Sequence, residues 1–130
     1  MEKSFKQLYD ALERDRKISP WSRKHDFQDR FKELQDEVAE VGEAIEKNDL
    51  ENLKEELGDV LWDLSFLILI GEEKGLFTKE EVVSDVISKF KKRKPWVFKD
   101  EIIESIEEEA ELYYKNKQQQ KDNLKNKLNQ

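Results

Sequence analysis

Cysteine is absent from the 130 residues of this chain, which excludes disulfide bonds and thiolate metal sites. Glycine and proline are scarce, at four and two residues, and this scarcity favours helices over a turn-rich β fold. No long hydrophobic run is present either: the longest, residues 64–70, is too short to span a bilayer. The first residues lack the apolar core of a signal peptide. We therefore expect a cytoplasmic protein that has no membrane partner.

Charge, in contrast, is abundant, because charged residues make up 42% of the chain and hydrophobic residues only 36%. The formal net charge of −7 argues against general nucleic-acid binding, which needs a net positive face. An acidic chain still binds an anionic ligand where it recruits cations or concentrates lysine and arginine locally.

Apolar residues recur at helical spacing in four segments, which predicts an all-α fold. The four predicted helices cover about residues 4–16, 25–47, 50–74 and 79–93. Pro20 breaks the chain after the first helix, Gly75 suits the C-terminal cap of the third, and Thr78 suits the N-cap of the fourth. Short loops between long amphipathic helices imply antiparallel neighbours, hence a four-helix bundle-like arrangement.

The C-terminal part of the chain differs in composition from the rest. An acidic additional helix is predicted over residues 100–114, and the last stretch has so little to bury that we expect it to be frayed. The predicted organisation is one domain over residues 1–98, with its core at 19–98, followed by a charged C-terminal segment at 99–130.

Five acids stand out by their spacing on the second and third predicted helices. Glu37 and Glu40 are three residues apart, as are Glu56 and Asp59, and Asp63 follows one turn later on the same side. Two helices joined by a tight turn lie side by side, so these acidic faces converge. Converging carboxylates repel one another unless a divalent cation neutralises them, and all-oxygen ligands suit Mg²⁺ or Mn²⁺.

The same spacing has an ordinary explanation, since glutamates three or four residues apart decorate many solvated helix faces. Two details favour a site. Gly58 weakens the helix between Glu56 and Asp59, as if the backbone were closely approached there, and the helix becomes apolar around Asp59 and Asp63. Asp63 alone has two further explanations, a salt bridge in the core and a hydrogen bond at a subunit interface.

These acids also carry a family resemblance. "DEVAE" followed by "EELGDVL" resembles the EExxE…ExxD motif of the MazG family of nucleoside triphosphate pyrophosphohydrolases. "SPWSRKHDF" resembles the family's CPWD…QT segment, "SKFKKRKPWVF" resembles its KxxRRHPHVF, and "ELYYKNKQQQK" is loosely similar to its terminal WxxIKxxEK. Several ordered motifs at compatible spacing make the resemblance specific.

The resemblance implies an all-α, dimer-forming enzyme that hydrolyses nucleoside triphosphates between the α and β phosphates. Residue by residue, it implies Glu37, Glu40, Glu56 and Asp59 as Mg²⁺ ligands, with Mn²⁺ as an alternative ion. Lys89 and Arg93 match the family's phosphate-binding positions, although cations near a helix C-terminus are also favourable through the helix macrodipole. Glu37 or Glu40 is the expected catalytic base that orients or deprotonates the attacking water.

The chain also departs from the family pattern. Asp36 replaces the first glutamate of EExxE, Ser19 replaces the cysteine of CPW, and Lys94 and Trp96 replace the two histidines of HPHVF. Tyr113 or Tyr114 stands in place of the terminal tryptophan, and Asp63 has no equivalent in the motif. These departures leave the metal site intact and leave the substrate preference open.

Substrate contacts beyond the phosphates are predicted from three residues. Trp21 and Trp96, placed in loops, are candidates for stacking on a base or, alternatively, for packing over helix ends. Asp63 is a candidate for an extra metal or substrate contact. Trp62 is expected in the core or at an interface, and His25 at the surface or in a cap.

Other functions stay open at the level of sequence. The related choices are a dUTPase-like enzyme and a phosphoribosyl-ATP pyrophosphohydrolase. A different choice is a non-catalytic helical module that dimerises through the apolar third helix. A basic patch for RNA in "KFKKRK" is a further alternative, which the overall acidity disfavours.

Overall fold

The computed structural model describes residues 1–129 and contains helices but no strand within that range. The predicted all-α class is therefore confirmed. The helices are α1 Glu2–Ile18, α2 Pro20–Lys24, α3 Phe27–Glu46, α4 Leu50–Glu73, α5 Lys79–Arg93, α6 Pro95–Lys99 and α7 Ile106–Leu128. In the described part of the chain, none of these helices combines the length and apolar character needed to cross a membrane.

The chain forms two compact units, residues 1–79 and residues 80 onward. This boundary separates compact units and does not test the predicted division between a domain and a C-terminal segment at residue 98, which stays a prediction. In the first unit, α3 and α4 pack against each other, and α1 packs on α4. The core of this unit consists of Leu12 from α1 with Phe66, Leu69 and Ile70 from α4, all buried.

Local capping fixes where the two long helices start. Asp26 caps α3 in a capping box with Asp29, and Asp49 caps α4 by accepting from the Asn52 backbone N–H at 3.2 Å. Only residues 47–49 separate the two helices, so α3 and α4 run antiparallel. This antiparallel pair brings the predicted acidic faces together.

The break at Pro20 is confirmed, but the segment behind it is a short helix and not a loop. Ser19 accepts a hydrogen bond from the Ser22 backbone N–H at 3.1 Å, and proline suits the first turn that follows. The same chemistry places Trp96 in α6, which begins at Pro95. The expectation that Trp21 and Trp96 lie in loops was therefore wrong.

Two glycine predictions have different outcomes. Gly75 adopts a left-handed φ of +68° after α4, as expected for a C-terminal cap. A Cβ added at Gly58 would meet no atom within 4 Å. No neighbouring helix in the described residues therefore approaches Gly58 closely, and the approach of a ligand there stays a prediction.

The C-terminal stretch in the second unit is helical through Leu128, so the prediction of a frayed tail was wrong. Helix α7 also begins later than predicted, because Ser105 caps it by accepting from the Glu108 backbone N–H at 3.1 Å. Its first turn is acidic and its last turn basic, which stabilises the helix through its macrodipole. Asn116 and Gln120 hydrogen bond to Arg93 of α5, at 3.3 and 2.9 Å, and tie α7 to that helix.

Candidate metal centre

Three of the four predicted metal ligands converge between α3 and α4. Glu37, Glu56 and Asp59 each offer a carboxylate oxygen, and these oxygens lie within 4.8 Å of one another. Glu56 is buried and Glu37 half-buried, whereas Asp59 is exposed at the mouth of the group. The antiparallel pairing of the two helices, which the sequence predicted, creates this cluster.

Glu40 lies at the edge of the same group, one turn after Glu37. Its pKa is raised by a hydrogen bond to the carboxyl group of Glu56 and by the charge of Glu56. Glu40 is exposed, and it is not one of the three described acids whose oxygens share the 4.8 Å limit. Its role as a fourth ligand stays a prediction.

The shifted pKa values in the cluster show that the acids repel one another. A hydrogen bond with Glu37 and burial raise the pKa of Glu56, more than its contact with Glu40 lowers it. For Glu37, the hydrogen bond to Glu56 lowers the pKa, but desolvation and the charges of Glu40 and Asp59 together raise it above the usual value. The carboxylates therefore need protons or a cation to lie this close.

The donor set fits a hard divalent cation. Buried Oε2 atoms of Glu37 and Glu56 have no hydrogen-bond partner, so both oxygens are available as ligands. Mg²⁺ takes oxygen ligands at about 2.1 Å, which separates two opposite ligands by about 4.2 Å. The spacing of the cluster is compatible with these distances, and the chain lacks the thiols that would favour a softer metal.

A cavity of about 340 Å³ opens beside the acidic cluster of Glu37, Glu56 and Asp59. Its walls are acidic except for one indole ring, and the lining residues are Glu33, Asp36, Glu37, Asp59, Trp62 and Asp63. Trp62, expected only in the core or at an interface, thus also faces this cavity. The cavity is large enough for a small ligand next to a metal ion.

Asp63 lies in the wall of this cavity and is almost fully buried, at 6% exposure. Burial raises the pKa of its carboxyl group to about 6, the charges of Glu33 and Asp59 act in the same direction, and Arg30 opposes them. Its Oδ1 lies 3.9 Å from Nη1 of Arg30. The salt bridge considered as an explanation for Asp63 is therefore present, although it is long.

Arg30 is the residue of this site that the sequence predictions missed. It is 3% exposed, donates from Nη1 to Glu33 at 3.0 Å, and places its guanidinium 3.6 Å from the centre of the Phe66 ring. Its buried Nε and Nη2 have no hydrogen-bond partner. A charged residue inside the apolar stripe of Phe27, Phe31 and Leu34 was the available signal.

Trp21 lies close to Arg30, with 5.0 Å between the guanidinium carbon and the indole centre. The indole is 55% exposed and contacts the ring of His25 at 3.9 Å between centroids. Trp21 is not among the residues that line the acidic cavity. Its predicted role in base stacking stays a prediction, and His25 lies near a helix end as expected.

The predicted phosphate-binding residues belong to the second unit. Lys89 and Arg93 line a groove of about 740 Å³ in that unit. Five of the lining residues are cations and none is an acid: Lys89, Lys92, Arg93, Lys121 and Lys127. Gln120 and Asn116 of α7 hold Arg93 in place. Trp96 is 8% exposed, which favours packing over its predicted role in stacking on a base.

Comparisons with known proteins identify relatives of this chain. Residues 26–98 match the family model described as the MazG nucleotide pyrophosphohydrolase domain. The chain is 37% identical over 100 residues to the nucleoside triphosphate pyrophosphohydrolase/pyrophosphatase MazG of Thermotoga maritima, covering 74% of this chain and 38% of that protein. It is 30% identical over 89 residues to the nucleoside triphosphate pyrophosphohydrolase of Escherichia coli K12, covering 68% of this chain and 34% of that protein.

A solved structure shows the same fold. The chain superposes on the crystal structure of a mazG-related protein from Thermotoga maritima with a TM-score of 0.81 and 33% identity. The superposition covers 87% of this chain and 98% of that one. By contrast, the chain spans only about a third of the length of the two pyrophosphohydrolases that it matches.

Proposed function

The chain belongs to the MazG nucleotide pyrophosphohydrolase family, and from that premise we propose that it hydrolyses nucleoside triphosphates between the α and β phosphates. The products are a nucleoside monophosphate and pyrophosphate. The observation that carries this proposal is the convergence of Glu37, Glu56 and Asp59, two of which have buried oxygens without a partner. Such a cluster suits a divalent cation, and a cation in turn suits a polyphosphate substrate.

Mg²⁺, or alternatively Mn²⁺, would be held by Glu37, Glu56 and Asp59, with Glu40 as the fourth ligand. A bound divalent cation would neutralise charge on the phosphate oxygens and on the protein. This neutralisation explains how an acidic chain accommodates an anionic substrate.

A carboxylate that is not fully engaged as a ligand would orient or deprotonate the attacking water. Glu37 and Glu40 are the candidates, because Glu37 belongs to the acidic cluster and Glu40 lies at its edge beside Glu56. Glu40 is the more exposed of the two and lies at the edge of the cluster, where a water molecule has access.

Lys89 and Arg93 would bind the β and γ phosphates and stabilise the leaving pyrophosphate. Support comes from the groove that they share, which has five cations and no acid in a chain of net charge −7. Arg93 keeps its orientation through Gln120, so α7 contributes to this basic surface.

A homodimer is the proposed assembly. Leu57, Leu61 and Leu64 form an apolar stripe on α4, and each is between 37% and 52% exposed. These leucines recur at helical spacing, so they form one continuous face that water would otherwise contact. A second copy of the chain is a suitable partner for such a face.

A nucleotide panel tests the proposed activity. The purified chain, supplied with Mg²⁺, is given the common ribo- and deoxyribonucleoside triphosphates, dUTP and phosphoribosyl-ATP, and both pyrophosphate and phosphate are measured. We expect pyrophosphate and nucleoside monophosphate from at least one nucleotide. Preference for dUTP or phosphoribosyl-ATP would assign one of the related activities, whereas no Mg²⁺ or nucleotide binding would support a non-catalytic dimerisation module.

A further inference from the structure

Asp63, in the wall of the acidic cavity, has the buried Arg30 as its nearest cation. Asp63 is 6% exposed, and no described residue donates a hydrogen bond to its carboxylate. The nearest cation, Nη1 of Arg30, is 3.9 Å away, which is beyond hydrogen-bond distance. A buried carboxylate without a donor is costly, so a ligand that brings donors into the cavity would be bound favourably.

Arg30 holds this wall in a fixed position. Its guanidinium is stacked on Phe66 at 3.6 Å, approached by Trp21 at 5.0 Å and bonded to Glu33 at 3.0 Å. Three contacts to a side chain that is 3% exposed leave it little freedom. Arg30 thus provides a fixed positive charge behind Asp63, which favours the ionised, acceptor-only form of the carboxylate.

We propose that this cavity takes the nucleobase of the substrate and that the Asp63 carboxylate accepts hydrogen bonds from the N–H edge of guanine. The inference rests on the proposed function, which it deepens by naming the substrate class. Arg30 acts as a positioning residue for Asp63, and the Trp62 ring offers an apolar surface for the base. The cavity of about 340 Å³ lies next to the acidic cluster. This position suits a base whose triphosphate binds the metal ion held by that cluster.

The pattern of donors on the bases selects guanine. A carboxylate accepts two parallel hydrogen bonds, and only guanine among the common bases presents two adjacent donors, N1–H and the 2-amino group. Adenine and cytosine each place an acceptor nitrogen beside their amino group, and that acceptor would face a carboxylate oxygen. Uracil and thymine flank their single N–H with two carbonyl oxygens, which the carboxylate repels.

The experiment measures base preference by equilibrium binding, so it does not depend on turnover. GMP, AMP, CMP and UMP are titrated calorimetrically into the full chain with Mg²⁺ at pH 8, where Asp63 is ionised. We expect GMP to bind most tightly. Asp63→Asn should weaken the binding of GMP roughly ten- to a hundred-fold, because that is the typical contribution of a bidentate contact to a base. The affinities for the other three nucleotides should change by less than about threefold. Equal binding of the four nucleotides, or a GMP preference retained in Asp63→Asn, overturns the proposal.

Variants of Arg30 test its positioning role. Arg30→Gln should reduce the ratio of GMP to AMP affinity, and Arg30→Lys, which keeps the charge, should restore part of it. A purely structural role would weaken both nucleotides equally and leave the ratio unchanged, which would contradict the assignment. Circular dichroism identifies any variant that fails to fold, and Glu33→Gln then serves as the second variant, with a smaller expected change in the same ratio.

Pyrophosphate measured on the same samples separates the two proposals. Pyrophosphate release without base preference overturns the guanine assignment and leaves the proposed function standing. A GMP preference that depends on Asp63, without pyrophosphate release from any triphosphate, would overturn the proposed function and leave the guanine assignment standing.

Discussion

The carboxylate of Asp63 lies 3.9 Å from Nη1 of Arg30, and both side chains are almost completely buried. Neither residue belongs to the cluster of Glu37, Glu56 and Asp59, but Asp63 lies in the wall of the cavity next to it. This relationship links the core at Phe66 to the candidate site, since Arg30 stacks on Phe66 and faces Asp63.

Removing Arg30 should destabilise the fold because it leaves Asp63 buried without a counter-charge. We expect Arg30→Met to lower the free energy of unfolding by about 3 kcal/mol. The double variant Arg30→Met with Asp63→Leu should recover most of this loss, because neither charge is then buried alone. Urea denaturation monitored by circular dichroism measures both values; additive losses in the double variant would show that the two residues are not coupled.

Stability without metal should depend on pH through Asp63. The pKa of this carboxyl is raised from 3.8 to about 6 in the folded chain, so between these values the folded state binds more protons than the unfolded state. The free energy of unfolding should therefore fall as pH rises from about 4 to about 6. Thermal denaturation in EDTA over this range tests the slope. Asp63→Asn should make it shallower, while the raised pKa values of Glu37, Glu40 and Glu56 maintain the remainder. A stability that rises across the window in wild type and variant alike would contradict the shifted pKa.

Magnesium should stabilise the chain by relieving repulsion within the acidic cluster. We expect the melting temperature to rise with Mg²⁺ concentration and to level off at saturation, since the ion binds the folded state. Asp59→Asn should remove most of the rise, whereas Glu46→Gln, an exposed acid outside the cluster, should keep it. An equal rise in Asp59→Asn and wild type would indicate nonspecific screening of charge.

Assembly should depend on the apolar stripe of α4. Sedimentation equilibrium should give twice the chain mass of 15.6 kDa for the wild type. Leu61→Glu places a charge in the middle of the stripe and should shift the equilibrium towards the monomer. Glu55→Gln, which also changes one charge but lies on the opposite side of α4 from the stripe, is the matched control. A wild-type monomer at all concentrations would refute the proposed homodimer.

Much of the site was readable from the sequence because its residues lie on two long helices with a short turn. Spacing by three residues placed Glu37 and Glu40 on one face, and Glu56 and Asp59 on another. The turn at 47–49 brings Glu37, Glu56 and Asp59 together, with Glu40 at the edge. Arg30 interrupts an apolar stripe, but it was not predicted, because the contact that buries it is made with Phe66, which lies 36 residues away in the chain.

The errors were local ones, in which side-chain capping overrode composition. Residues 115–128 looked too polar to be ordered, but the Ser105 cap, the charge gradient of α7 and the contacts of Asn116 and Gln120 with Arg93 stabilise that helix. Likewise, Pro20 and Pro95 each start a short helix, because proline is compatible with the first helical turn. Polar sequence alone did not indicate which donors would meet which acceptors.

The most direct test of the central claim is pyrophosphate release in H₂¹⁸O by wild type, Glu56→Gln and the matched surface variant Glu46→Gln, each with saturating Mg²⁺. The wild type and Glu46→Gln should release pyrophosphate and place the label on the nucleoside monophosphate, as attack at the α phosphorus requires. Glu56→Gln, which removes a buried carboxylate of the proposed metal site, should lose at least about a hundredfold in rate. Release of phosphate in place of pyrophosphate, or full activity in Glu56→Gln, would contradict the account.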